Sequence, residues 1–228
     1  GNCFNIGGRD SHFLTGVLNA AAQAGSVDQL RLQLSVESAV HSGLRAENAI
    51  AVIPGQSAET IVLNAHIDAW YDGAGDNGDG LAVLVALARH FSRPDISLQR
   101  TLVLVASAGH HTPGLNGPRA AVTMKPDLFE TSVLIVNLEH VAQRNFSPAR
   151  SQSEDGYRDY IADSVEAPIV AGITNQSPFL QDLFDAGVQR YGTNFVSGCS
   201  TMASGEGGGY RSANVPIVTT MQAPPLYH

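Results

Sequence analysis

A histidine and four aspartates stand within the fifteen residues His66-Ile-Asp-Ala-Trp-Tyr-Asp-Gly-Ala-Gly-Asp-Asn-Gly-Asp-Gly80. The intervening glycines let the backbone turn tightly, so carboxylates and an imidazole can converge on one point without steric conflict. A divalent metal is the natural centre for such a set. His66 and Asp68 are two apart in extended chain and point to the same side. The Asp68 carboxylate is therefore expected to hold the His66 imidazole, while Asp76, just ahead of a helix, reaches the same metal.

The flanking segments say how this loop is positioned. Glu59 to Ala65 is a short apolar run rich in β-branched residues and reads as a buried strand, and Leu81 to Phe91 reads as a helix. Strand, polar loop and helix in succession place the loop at the carboxyl end of a strand, where open α/β sheets hold their ligands.

Further along, Arg100 to Ser107 is a buried strand leading to His110 and His111. A short helix near 117–124 precedes a third buried strand, 131–138, which runs into Glu139 and His140. Strands are also expected over 168–173 and 215–220, with a helix from Ser177-Pro178 between them. Before the central loop, 11–24 reads as a helix capped by Ser11, 30–36 as a half-exposed strand, and 48–55 as a strand forming a hairpin with 60–65. Residues 143–166 are polar and read as a surface excursion, and 197–209 as a Gly/Ser-rich loop.

Alternating strands and helices imply an α/β fold: a three-layer α/β/α sandwich around a mixed, mainly parallel sheet. Polar groups able to bind metal then recur at successive strand ends, as His66 and Asp76, His110 and His111, Glu139 and His140, and Tyr227-His228. Taken singly, His110 and His111 read as turn residues, Glu139 as a capping acid, and His90 and His140 as surface or core-edge histidines. As a set they read as one site.

Composition narrows the function classes. The chain has 228 residues, 43% hydrophobic and 15% charged, enough for one substantial core. A formal charge of −8 with only 13 Lys and Arg excludes a nucleic-acid partner. No apolar run approaches the ~20 residues of a transmembrane helix. Two cysteines, Cys3 and Cys199, are too few for a disulfide scaffold, and their pairing is not legible. Both ends read as cut, and no signal peptide is visible. Oligomeric state is not legible either.

In order and spacing, H-I-D at 66–68, G-A-G-D-N-G-D-G at 73–80, R-T-L-V-L-V-A-S at 100–107, G-L-N-G at 114–117, V-N-L-E at 136–139, Y-R-S-A-N-V-P-I-V at 210–218 and P-L-Y-H at 225–228 resemble the M28 group of co-catalytic zinc peptidases. That group includes bacterial aminopeptidases, glutamate carboxypeptidases and, more distantly, glutaminyl cyclases. The resemblance covers 45–228. Residues 1–44 resemble the end of a protease-associated insert. The peptidase domain is then expected to be truncated at its C-terminus.

The resemblance implies about two zinc ions per chain, with one as the other possibility, and a peptide substrate. His66 and Glu139 would bind the first zinc, with Asp68 orienting His66. Asp76 would bridge the two, and His228 would bind the second. Tyr227 resembles the tyrosine that stabilises the tetrahedral intermediate. The family's two adjacent glutamates, a general base and a ligand, are absent. Counting from Arg100, His110 and His111 stand there, so His111 would be the replacement ligand and His110 a base with a pKa near the working range. Counting back from Gly114 the pair is His111 and Thr112, and one ligand is lost. The loop at Glu206-Gly207 also departs from the family's Asp-His.

Three functions follow. The first is a metal-dependent exopeptidase, aminopeptidase or carboxypeptidase, acting extracellularly or in the cell envelope or periplasm. The second is a catalytically impaired relative serving as a binding module, and the third a single-zinc acyl transferase like the glutaminyl cyclases.

Overall fold

A computed structural model describes residues 6–173, 177–193, 195–199 and 205–222. The chain divides into two compact units, one of Gly1–Leu44 with Ser147–Ile161, the other of Arg45–Phe146 with Ala162–His228.

The first unit holds helix α1 (Gly8–Gln23), which starts at Gly7 rather than at the expected Ser11 cap. The strand expected over 30–36 is absent: residues 30–42 carry no helix or strand, and Leu32, Leu34 and Val36 are exposed. Alternation makes a strand only where a partner supplies the ladder.

In chain order the remaining elements are β1 (Ala49–Ile53), β2 (Ser57–His66), α2 (Asp79–Phe91), β3 (Arg100–Ser107), α3 (Gly117–Met124), α4 (Pro126–Phe129), β4 (Ser132–Leu138), β5 (Arg144–Pro148), β6 (Tyr160–Glu166), β7 (Ile169–Ile173), α5 (Pro178–Tyr191), β8 (Phe195–Cys199) and β9 (Ile217–Met221). Seven strands form one sheet in the order β1-β3-β2-β4-β9-β7-β8. β5 and β6, inside the expected surface excursion, pair separately. β2, β3, β4 and β9 run parallel, while β1 and β7 are antiparallel to β3 and β9.

The hairpin expected between 48–55 and 60–65 does not form. β1 pairs with β3, Ala49 opposite Ala106 and Ile53 opposite Leu102. β2 is apolar on both faces and takes an interior place between β3 and β4, which leaves β1 at the edge. Gly55 permits the crossing, since a Cβ there would lie 2.3 Å from the Arg100 carbonyl carbon.

Alternation along the central strands divides the core in two. Val62, Val103, Val105 and Ile135 face Ala121 of α3 and Phe129 of α4. Leu63, Ala65, Leu102 and Leu104 face Leu84 of α2. A strand buried on both faces needs this double covering, and each Val, Leu, Ile or Phe so buried contributes ~1.5–3 kcal/mol. The result is the three-layer α/β/α arrangement, with the carboxyl ends of β2, β3 and β4 side by side.

Candidate metal centre

Each ligand candidate leaves one of those strand ends. His66 is the last residue of β2 and fully buried. Its Nδ1 lies 2.8 Å from the backbone carbonyl of Asp68 and 3.8 Å from the Asp68 carboxylate. The carbonyl, not the carboxylate, thus fixes the ring, which corrects the role expected for Asp68. With Nδ1–H donating to that carbonyl, Nε2 carries the lone pair and faces the site.

The Asp68 carboxylate accepts instead from the backbone N–H groups of His110 (3.1 Å) and His111 (2.7 Å). Burial pushes its pKa up, but these N–H groups outweigh that and lower it. The turn after β3 is therefore pinned to the turn after β2.

Asp76 sits in the kinked turn Ala74–Gly78 ahead of α2, where its own backbone (φ −126°, ψ 87°) and that of Asn77 are non-helical. The peptide between Asp76 and Asn77 is cis. The Asn77 side chain donates to the Leu138 carbonyl at 2.8 Å and accepts from His140 N at 3.2 Å, tying this turn to the end of β4.

Three imidazoles surround the Asp76 carboxylate. His66 Nε2 lies 3.0 Å from Oδ1, His111 Nε2 3.1 Å from Oδ2, and His140 Nε2 3.6 Å from Oδ1. Burial raises its pKa, yet the surrounding imidazoles of His66, His140 and His111 hold it down at about 2. Glu139 Oε1 is 3.8 Å from His66 Nε2 and 4.0 Å from His110 Nε2. Burial pushes Glu139 up to about 7, against a hydrogen bond from the Glu206 N–H. Of the residues after β3, His111 is the one that reaches Asp76.

A divalent cation suits this donor set. The ring nitrogens of His66, His110 and His111 lie within 4.8 Å of one another. His66 Nε2 and Glu139 Oε2 are buried without a hydrogen bond among the described residues. Buried polar atoms rarely remain so, and imidazole with carboxylate is a zinc-type set. His66, Asp76, His111 and Glu139 would hold the ion. His110 departs from expectation: burial first, then the charges of His66 and His111, lower its pKa to about 4, below the working range. Tyr227 and His228 lie outside the described residues, as does Cys3.

Glu206 was given no role from sequence, and His140 was named only as one of the strand-end groups able to bind metal. Glu206 is 3% exposed; its N–H donates to Glu139 Oε1 at 2.9 Å, and its carboxylate accepts from Ser107 Oγ (2.6 Å) and Asn64 Nδ2 (3.0 Å). A lone acid in a glycine-rich run gives no local signal. His140, read singly as a surface or core-edge residue, is 2% exposed. Its place directly after Glu139 was the available signal.

The sequence profile of peptidase family M28 matches residues 48–191, more than half of the chain. Among curated protein sequences, none matches. Of solved structures, the zinc aminopeptidase BSAP from Bacillus subtilis is similar with a TM-score of 0.57 at 18% identity, over 78% of this chain and 40% of that one. The aminopeptidase from Aneurinibacillus sp. strain AM-1 gives 0.60 at 18%, over 79% and 40%. The Legionella pneumophila LapA aminopeptidase gives 0.57 at 15%, over 79% and 45%. The chain spans less than half the length of these structures, and at such identities the likeness is one of fold.

Proposed function

This chain belongs to peptidase family M28, and from that premise we propose a metal-dependent exopeptidase that hydrolyses peptide bonds with a zinc-activated water. One observation carries the reading. His66 and His111 face opposite oxygens of Asp76 at 3.0 and 3.1 Å, with Glu139 3.8 Å from His66, all at the carboxyl ends of adjacent strands.

Zinc bound there would polarise a peptide carbonyl and lower the pKa of a bound water. The rest falls to the chain's own residues. His66, Asp76, His111 and Glu139 hold the ion. His110, 28% exposed in its side chain, stands on the open side as proton acceptor. Its pKa of about 4 leaves it unprotonated across the neutral range but makes it a weak base. The family resemblance would give Tyr227 and His228, which lie outside the described residues, the roles of the tyrosine that stabilises the tetrahedral intermediate and of a ligand for a second zinc.

The test is hydrolysis of aminoacyl and dipeptide reporters by zinc-reconstituted protein, with His110→Ala alongside. We expect turnover in the wild type, and a variant that loses rate far more than zinc. Bound zinc without turnover would favour the catalytically impaired binding module. The observation on its side is the pair His110-His111 where the family carries two glutamates.

A further inference from the structure

We propose that His140 is a positioning residue for Asp76: its imidazole, protonated on Nε2, steadies the carboxylate that stands between His66 and His111. This rests on the metal reading of the site.

The tautomer follows from what holds the ring. Gln143 Nε2 is 2.7 Å from His140 Nδ1. An amide nitrogen only donates, so Nδ1 must be the bare, accepting nitrogen. The proton of the neutral ring is then on Nε2, which faces Asp76 Oδ1 at 3.6 Å. His66 has the opposite arrangement, with Nδ1–H given to a carbonyl and Nε2 bare. Two buried histidines on one carboxylate thus present complementary nitrogens, one fit to bind a cation and one fit to donate.

The surroundings of His140 are built to keep this orientation. Its backbone has φ 48°, in the left-handed region that non-glycine residues adopt uncommonly, histidine more readily than most. Its N–H donates to Asn77 Oδ1 at 3.2 Å, and its carbonyl accepts from Gln222 N at 2.9 Å. The Gln222 side chain accepts from Gln143 N at 2.5 Å and donates to the Ala167 carbonyl. Gln143, which sets the tautomer, is therefore itself clamped. It also fills the space above Gly75, where a Cβ would fall 2.7 Å from its amide nitrogen. A core-edge histidine with only a packing role would need none of this.

Groups that orient metal ligands are typically worth 10–100-fold in metal affinity. By chelator competition, His140→Ala should bind zinc ~10–100-fold more weakly than wild type. His140→Gln, whose amide nitrogen replaces Nε2, should recover most of the loss, which a purely structural defect would not. Nitrogen NMR of the metal-free protein reads the tautomer directly, with His140→Gln assigning the signal: protonated Nε2 and bare Nδ1 are expected. A bare Nε2, a cadmium–nitrogen coupling at His140 in cadmium-loaded protein, or unchanged zinc affinity in His140→Ala would each overturn the inference. If the wild type binds no zinc, the metal reading fails and takes the positioning role with it. If the wild type binds zinc and His140→Ala binds it equally, only the inference fails.

Discussion

The Asp68 carboxylate accepts a hydrogen bond from the backbone N–H of His111 at 2.7 Å, and a second from that of His110 at 3.1 Å. One side chain thus sets the turn that aims both rings at the site. Asp68→Ala leaves those N–H groups without their acceptor and should weaken zinc binding at least ~10-fold, while Asp68→Asn, which keeps one accepting oxygen, should lose less. Zinc affinity by chelator competition separates the two.

Gly205 lies against the other side of the centre. A Cβ there would fall 1.8 Å from Glu139 Oε2, and its φ of +54° is one that other residues adopt at a cost. Gly205→Ala must displace Glu139 or the turn carrying Glu206. It should cost ~2 kcal/mol or more and lower zinc affinity together, measured by denaturant unfolding and metal competition.

Trp70 is the only tryptophan in the chain, and its ring lies 5.3 Å from that of His111. Zinc binding through His111 should change its emission in proportion to occupancy. His111→Ala should lose that response while keeping the tryptophan, as a fluorescence titration would show.

Tyr210 is fully buried, stacks on Phe129 at 5.9 Å, and donates its hydroxyl to Asn64 Oδ1 at 2.8 Å. Tyr210→Phe keeps the stack and removes the donor. It should destabilise the protein by ~1–3 kcal/mol in urea or thermal unfolding, with zinc binding little changed.

The fold was legible where burial dictates pattern. β2, β3 and β4 are apolar on both faces and admit no other place than the middle of a covered sheet. Their polar ends, His66, His110, His111 and Glu139, followed from that. Partnership was less legible: 48–55 looked like half of a hairpin, but pairing is set by which strand must be central. Residues 30–36 alternate like a strand and stay unpaired. At the site, residue types near the loop were readable, but who holds whom was not. A carbonyl rather than a carboxylate fixes His66, because a backbone acceptor carries no sequence signal. Glu206 reaches Glu139 from 67 residues away along the chain, a contact that only the sheet order creates.

The most direct test of the metal centre is zinc content by elemental analysis, after reconstitution and desalting, for the wild type and His66→Ala. We expect about one to two zinc ions per wild-type chain and a marked loss in the variant, with both folded. Equally negligible zinc in both at saturating metal would contradict it.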